Sequence, residues 1–123
     1  MKIRDHNDLD VFKMAFTNAM KIFELSKEFP KEELYSLTDQ IRRSSRSVAA
    51  NISEAFRKRR YPKAFVAKLV DSEAEAAETQ TWLKFSRECS YLKKTDFRDL
   101  SKNYDYILGK LVNMGRKPEN WKI

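Results

Sequence analysis

Cysteine and histidine are almost absent from this chain of 123 residues, which has one of each, Cys89 and His6. A single cysteine excludes an internal disulfide and a cysteine-built zinc site, and it fits a reducing compartment. A single histidine excludes the paired Glu-x-x-His motifs with which helical bundles hold di-iron centres. His6 precedes the helical segments and reads as a surface residue. Cys89 has no histidine partner in view and reads as a packing cysteine rather than a nucleophile. Glycine is down to Gly109 and Gly115, with no phosphate-cradling loop. Long apolar runs are missing too: nothing approaches the roughly 18 residues of a membrane span. No basic stretch followed by an apolar run and a small-residue cleavage site opens the chain. These absences predict a soluble, cytoplasmic protein with no membrane role, no cofactor, no metal, no small-molecule substrate and no catalytic residue.

What remains is dominated by Ala, Leu, Lys, Glu, Arg, Ser and Phe, without short alternating β-branched runs, so the chain reads as all-α. Its length suits one domain with a proper core. The spacing predicts a helix over about 8–27, capped by Asn7, with Leu9, Phe12, Phe16, Ala19, Met20 and Phe23 as its buried stripe and Phe29-Pro30 as its stop. A second helix covers about 37–59, its core stripe running through Ile41, Ser45, Val48, Ile52 and Phe56. The third covers 62–88, opening on Pro62, with Phe65, Leu69, Ser72, Ala76, Thr79 and Leu83 on one face. Thr95 is the expected cap of a fourth helix over 96–114. Leu100, Tyr104, Ile107, Leu108, Leu111 and Val112 are its apolar side, and Gly115 its stop. Residues 116–123 read as a tail pinned by Trp121. Four such helices joined by short links predict an antiparallel up-down-up-down four-helix bundle filling 1–123 as one domain.

Charge is what this sequence places most unevenly. The net charge is +7, yet Gln40 to Lys68 alone holds nine cations against one anion, Glu54, and the rest of the chain is close to neutral. At about 100° per residue, Arg42, Arg46, Arg57 and Arg60 fall within about 60° of each other on the second helix, beside its core stripe. Lys58, Arg59 and Lys63 join them at the corner before the third helix, Arg59 falling back towards the core side. Arginine's planar fork of donors matches phosphate oxygens, so these seven residues are the candidate nucleic-acid contacts, with Tyr61 available to stack on an unpaired base.

The third helix has a second face of small and apolar residues, Val66, Val70, Ala74, Ala77, Thr81 and Phe85. A helix apolar on two sides is buried on two sides, which predicts self-association. Asp71, Glu75 and Glu78 form an acidic stripe on the same helix, and they compete for the arginines within a subunit or across an interface. Asn51 and Glu54 are expected in a buried polar network with Gln40 or Gln80.

The stretch "LTDQIRRSSRSVAANISEAF", Leu37 to Phe56, resembles the L-T-x-Q-I-R-R … N-I-A-E-G signature of a bacterial four-helix-bundle family. That family includes the proteins encoded in intervening sequences of 23S ribosomal RNA genes. "DLDVFKMA", "FPKEELYSLT" and "EAAETQTWLKF" match further family motifs in order, so the likeness covers roughly residues 5 to 112. Ala55 stands where the family has Gly, and Ala49 where it has Pro. The second difference suggests a straighter second helix. The resemblance implies a homo-oligomer, with ring-shaped pentamers among the relatives, and an association with RNA or DNA; it carries over no catalytic residue. Charge and resemblance together give a non-catalytic, homo-oligomeric bundle that binds nucleic acid, RNA first, through the basic face. The alternative is a protein–protein scaffold or adaptor with no nucleic-acid role, the basic stripe meeting an acidic partner.

Overall fold

The computed structural model describes residues 3–122. Met1, Lys2 and Ile123, which the expected domain and tail include, lie outside the described residues. Four α-helices account for most of it: α1 (Asp10–Ser26), α2 (Leu37–Arg57), α3 (Pro62–Glu88) and α4 (Lys94–Arg116). Single 3-10 turns occupy His6–Asp8, Lys31–Glu33 and Pro118–Asn120, and no strand occurs among the described residues. Each helix packs on the next and α1 closes against α4, with α2 on α3 the most extensive pairing. The architecture is the expected four-helix bundle.

The α2–α3 seam explains that extent. Ser44, Ser45, Ser72, Ala76 and Thr79 are all buried there, and such small side chains let two helix backbones approach closely. Their hydroxyls are satisfied inside the seam. Ser72 donates to the Val48 carbonyl at 2.8 Å, and Thr79 to Ser44 Oγ at 2.8 Å and the Glu75 carbonyl at 2.9 Å. A matching polar tie joins α4 to α1, where Asn103 donates to Asn18 Oδ1 at 2.8 Å. Tyr104, fully buried in α4, is less well served: its hydroxyl has no partner among the described residues, and burial holds the phenol far above its ordinary pKa.

The core stripes expected on α2 and α3 are buried throughout. The stripe expected on α1 is not. Val11, Ala15, Asn18, Ala19, Ile22 and Ser26 face the core, while Phe16 and Met20 are 54% and 46% exposed and Phe12 and Phe23 half-buried. The apolar arc of α1 is wider than its contacts with α2 and α4 can cover, and the half with the smaller side chains is the one turned inward. On α4, Val112 is likewise exposed rather than buried.

The caps also differ from expectation. Asp5, not Asn7, accepts a backbone N–H, at the 3-10 turn before α1, and extended Leu9 is the N-cap of α1 itself. Thr95 lies inside α4, which begins after Lys93 with no side-chain cap. Gly115 does not stop α4; the helix runs through it to Arg116, and a Cβ there would meet nothing closer than a Leu69 methyl at 3.9 Å. Trp121 packs against the core edge, as the pinned tail required.

α3 ends in a motif that the sequence conceals. Tyr91 N–H donates to the Ser86 carbonyl at 2.8 Å and Ser90 N–H to the Arg87 carbonyl at 2.9 Å, the two bonds of a Schellman cap. The residue between helix and link is Ser90 at φ 64°, the left-handed region that glycine occupies without steric cost. Ser90→Gly should therefore raise stability by about 0.5–1 kcal/mol, read as a higher urea midpoint at unchanged slope. An unchanged or lower midpoint would show that the serine is not strained.

Beside this cap, Glu33 joins the link after α1 to the link after α3. It accepts from the Ser36 hydroxyl, from Tyr91 Oη at 3.1 Å and from Leu37 N–H at 3.4 Å. The Ser36 and then the Tyr91 hydrogen bonds hold its carboxyl below the usual range. Partial desolvation, then the bond to Glu33, push Tyr91 up to about 12. The signs differ. A lowered carboxylate contributes stability above its unfolded pKa, lost as pH falls through the folded value. A raised phenol contributes stability below 10.0, lost as pH rises towards about 12. Urea midpoints measured against pH should fall above about pH 10 in the native chain and stay flatter there in Tyr91→Phe. Parallel curves for the two proteins would refute the coupling.

Candidate nucleic-acid interface

The basic segment is delivered to one flank by α2 and its turn into α3. Arg42 to Arg57 is fifteen positions of continuous helix, about 22 Å along the axis at 1.5 Å per residue. Lys58 to Tyr61 then reverse the chain, held by Tyr61 N–H to the Lys58 carbonyl at 2.9 Å, and Pro62 opens α3 in its first turn.

Not every cation of the segment is free. Arg43 pairs with Asp39 one turn earlier at 3.1 Å. Lys68 reaches Glu54 at 3.5 Å, Asp71 at 3.8 Å and Asn51 Oδ1 at 3.3 Å. That lysine, and neither Gln40 nor Gln80, completes the polar network of Asn51 and Glu54; Gln80 turns instead to α4, donating to Asp105 at 2.8 Å and the Ser101 carbonyl at 3.3 Å.

The seven candidate residues divide into three groups. Arg57, Lys58, Arg60 and Lys63 are exposed at the corner and make no ion pair among the described residues. Arg59 is folded back: its guanidinium lies 3.8 Å from the Phe56 ring centroid and donates to the Phe56 carbonyl at 3.0 Å, capping the end of α2. Arg42 and Arg46 lie over the Phe23 ring at 4.8 and 5.5 Å, and Arg42 also donates to Ser26 Oγ at 2.8 Å. Neither meets a carboxylate among the described residues.

A polar groove of about 410 Å³ opens at the corner, lined by Arg57, Arg59, Arg60, Tyr61, Ser53 and Phe56 of the α2–α3 turn and by Arg4, Asp5 and His6. The contribution of the N-terminal segment is invisible in the sequence, since more than forty residues separate it from the corner. His6 is half-buried rather than on the surface, its ring edge-on to Phe12 at 4.8 Å. Tyr61 is 63% exposed at the rim rather than packed in the corner. Cys89 is exposed, not packed as expected.

Among the described residues no group of His, Cys, Asp or Glu is arranged to hold a metal ion, and no helix is long and apolar enough to cross a membrane.

The bundle and its motifs place the chain in a known class. It belongs to the 23S rRNA-intervening sequence protein family, whose model matches residues 7–113. It is similar to a protein with unknown function from the S23 ribosomal protein family of Bacteroides thetaiotaomicron VPI-5482. The two are 26% identical, with a TM-score of 0.78 over 86% of this chain and 95% of that one. No curated protein matches the chain.

Proposed function

We propose that this chain is a non-catalytic, homo-oligomeric bundle that binds nucleic acid, RNA before DNA, through the corner between α2 and α3. The observation that carries the reading is the set of four exposed cations at that corner that make no ion pair among the described residues: Arg57, Lys58, Arg60 and Lys63. Around them stand Arg59, Arg4 and Tyr61, so phosphate contacts and one stacking surface lie side by side. Contacts of this kind give affinity without sequence information, and an oligomer multiplies them by presenting the corner several times.

The test is fluorescence anisotropy with a labelled structured RNA across a salt series. Wild type should bind with a steep salt dependence. Replacing the four corner cations by Ala should flatten the logarithmic slope by about 3, at roughly 0.7 to 0.9 for each lost phosphate contact. No binding of wild type at low salt would defeat the nucleic-acid reading. The same exposed cations would then favour the second reading, a scaffold whose basic stripe meets an acidic protein partner.

A further inference from the structure

The corner cations differ in what they face. Arg57 and Arg60 line the polar groove of about 410 Å³, together with Arg59 from the end of α2 and Arg4 from the N-terminal segment. Lys58 and Lys63 are exposed but stand outside it. Four guanidiniums therefore share the groove with one carboxylate, that of Asp5, whose Oδ1 already accepts Asn7 N–H at 2.8 Å. Arg4 is fixed by Asp8, to which its backbone N–H donates at 2.8 Å and its Nε at 3.3 Å. The two terminal amino groups of Arg4 take no partner among the described residues. Arg59 gives one terminal nitrogen to the Phe56 carbonyl at 3.0 Å.

Such convergence suits a point of high negative charge better than a passing strand. An internal phosphodiester carries a single charge, and a strand crossing a surface meets its cations one by one. A terminal phosphate monoester carries about −1.5 to −2 and three strong acceptor oxygens. Several planar guanidinium forks aimed into one concavity match that charge and that number of acceptors. The groove also has the size of a small-ligand site, a class that spans roughly 300–1,000 Å³. Tyr61 at its rim offers a ring face to the terminal base.

We propose that the groove receives the terminal phosphate monoester of an RNA strand, bound by Arg4, Arg57, Arg59 and Arg60, while Lys58 and Lys63 attract the internal phosphates of the same strand. This rests on the nucleic-acid reading above and narrows it. The arginines select an end, and the lysines supply affinity for any strand.

Fluorescence anisotropy tests it with one short, internally labelled single-stranded RNA in three forms: 5′-phosphate, 3′-phosphate, and hydroxyl at both ends. One phosphorylated form should bind about tenfold tighter than the hydroxyl form, the effect of a set of charge-assisted hydrogen bonds, and the favoured form shows which end is read. Arg4→Ala should shrink that ratio to about twofold or less. Lys63→Ala should weaken all three forms and keep the ratio. Should Arg4→Ala disturb folding, read by circular dichroism, Arg60→Ala at an exposed position takes its place. Equal binding of the three forms would overturn the proposal and leave the nucleic-acid reading standing, whereas no binding of any form at low salt defeats both. A ratio that falls equally in the Arg4 and Lys63 variants would overturn it too, because the extra charge would then be felt by the whole surface and not by the groove. AMP separates a strand end from a free nucleotide. It should displace the phosphorylated RNA only far above that RNA's own Kd; displacement near that Kd would reassign the groove to free nucleotides and overturn the strand-end proposal.

Discussion

Phe65→Ala should cost about 3–5 kcal/mol of folding stability, and Phe16→Ala less than about 0.5 kcal/mol in the monomer. Both residues sit in apolar stripes at helical spacing, and neither the residue type nor the pattern separates them. Burial does: Phe65 is 0% exposed at the start of α3, and Phe16 is 54% exposed on α1. Truncating Phe65 removes a ring from a closed interior and leaves a void that the neighbouring helices cannot fully collapse. For a chain of this size the loss amounts to roughly 10–20 °C in Tm. Truncating Phe16 opens no void. Thermal melts of the two variants at low protein concentration decide the matter. Equal losses in Tm would mean that Phe16 belongs to the core after all.

The same pair shows how much of the fold was legible. The end of α1 and the corner between α2 and α3 follow from the sequence because the Phe29-Pro30 pair and Pro62 punctuate it. α1 misleads because Val11, Ala15 and Ile22 and the Phe12, Phe16 and Phe23 series are both apolar at helical spacing. The larger side chains draw the eye, while the smaller ones are those turned towards α2 and α4. The left-handed Ser90 could not be foreseen, since nothing local distinguishes it from any other serine in a link. The arginine flank was legible because it lies on a single helix, where angle follows from position. Its division was not. Whether a guanidinium stands free like Arg60, folds back like Arg59 or rests on Phe23 like Arg42 depends on what another turn or another helix presents to it.

Ser72→Leu should be nearly as damaging as a large truncation, at about 3 kcal/mol, although it adds apolar volume to a buried site. Hydrophobic burial alone would predict a gain. The α2–α3 seam reverses the sign, because Ser72 is 0% exposed and stands where its hydroxyl donates to the Val48 carbonyl at 2.8 Å across the helix pair. That distance leaves no room for a branched side chain without separating the two helices, and separation would also strain the neighbouring Thr79–Ser44 bond at 2.8 Å. Overpacking of this kind costs about 1–3 kcal/mol, and the lost hydrogen bond adds about 1. Ser72→Ala isolates the second part and should lose about 1 kcal/mol or less. Urea unfolding of both variants tests the seam: a leucine variant no less stable than the alanine one would mean that α2 and α3 have slack between them. If the expected order holds, α2 is fixed against α3 by the serines of the seam, and the angle at which it presents its arginines is set by the most extensive contact in the bundle.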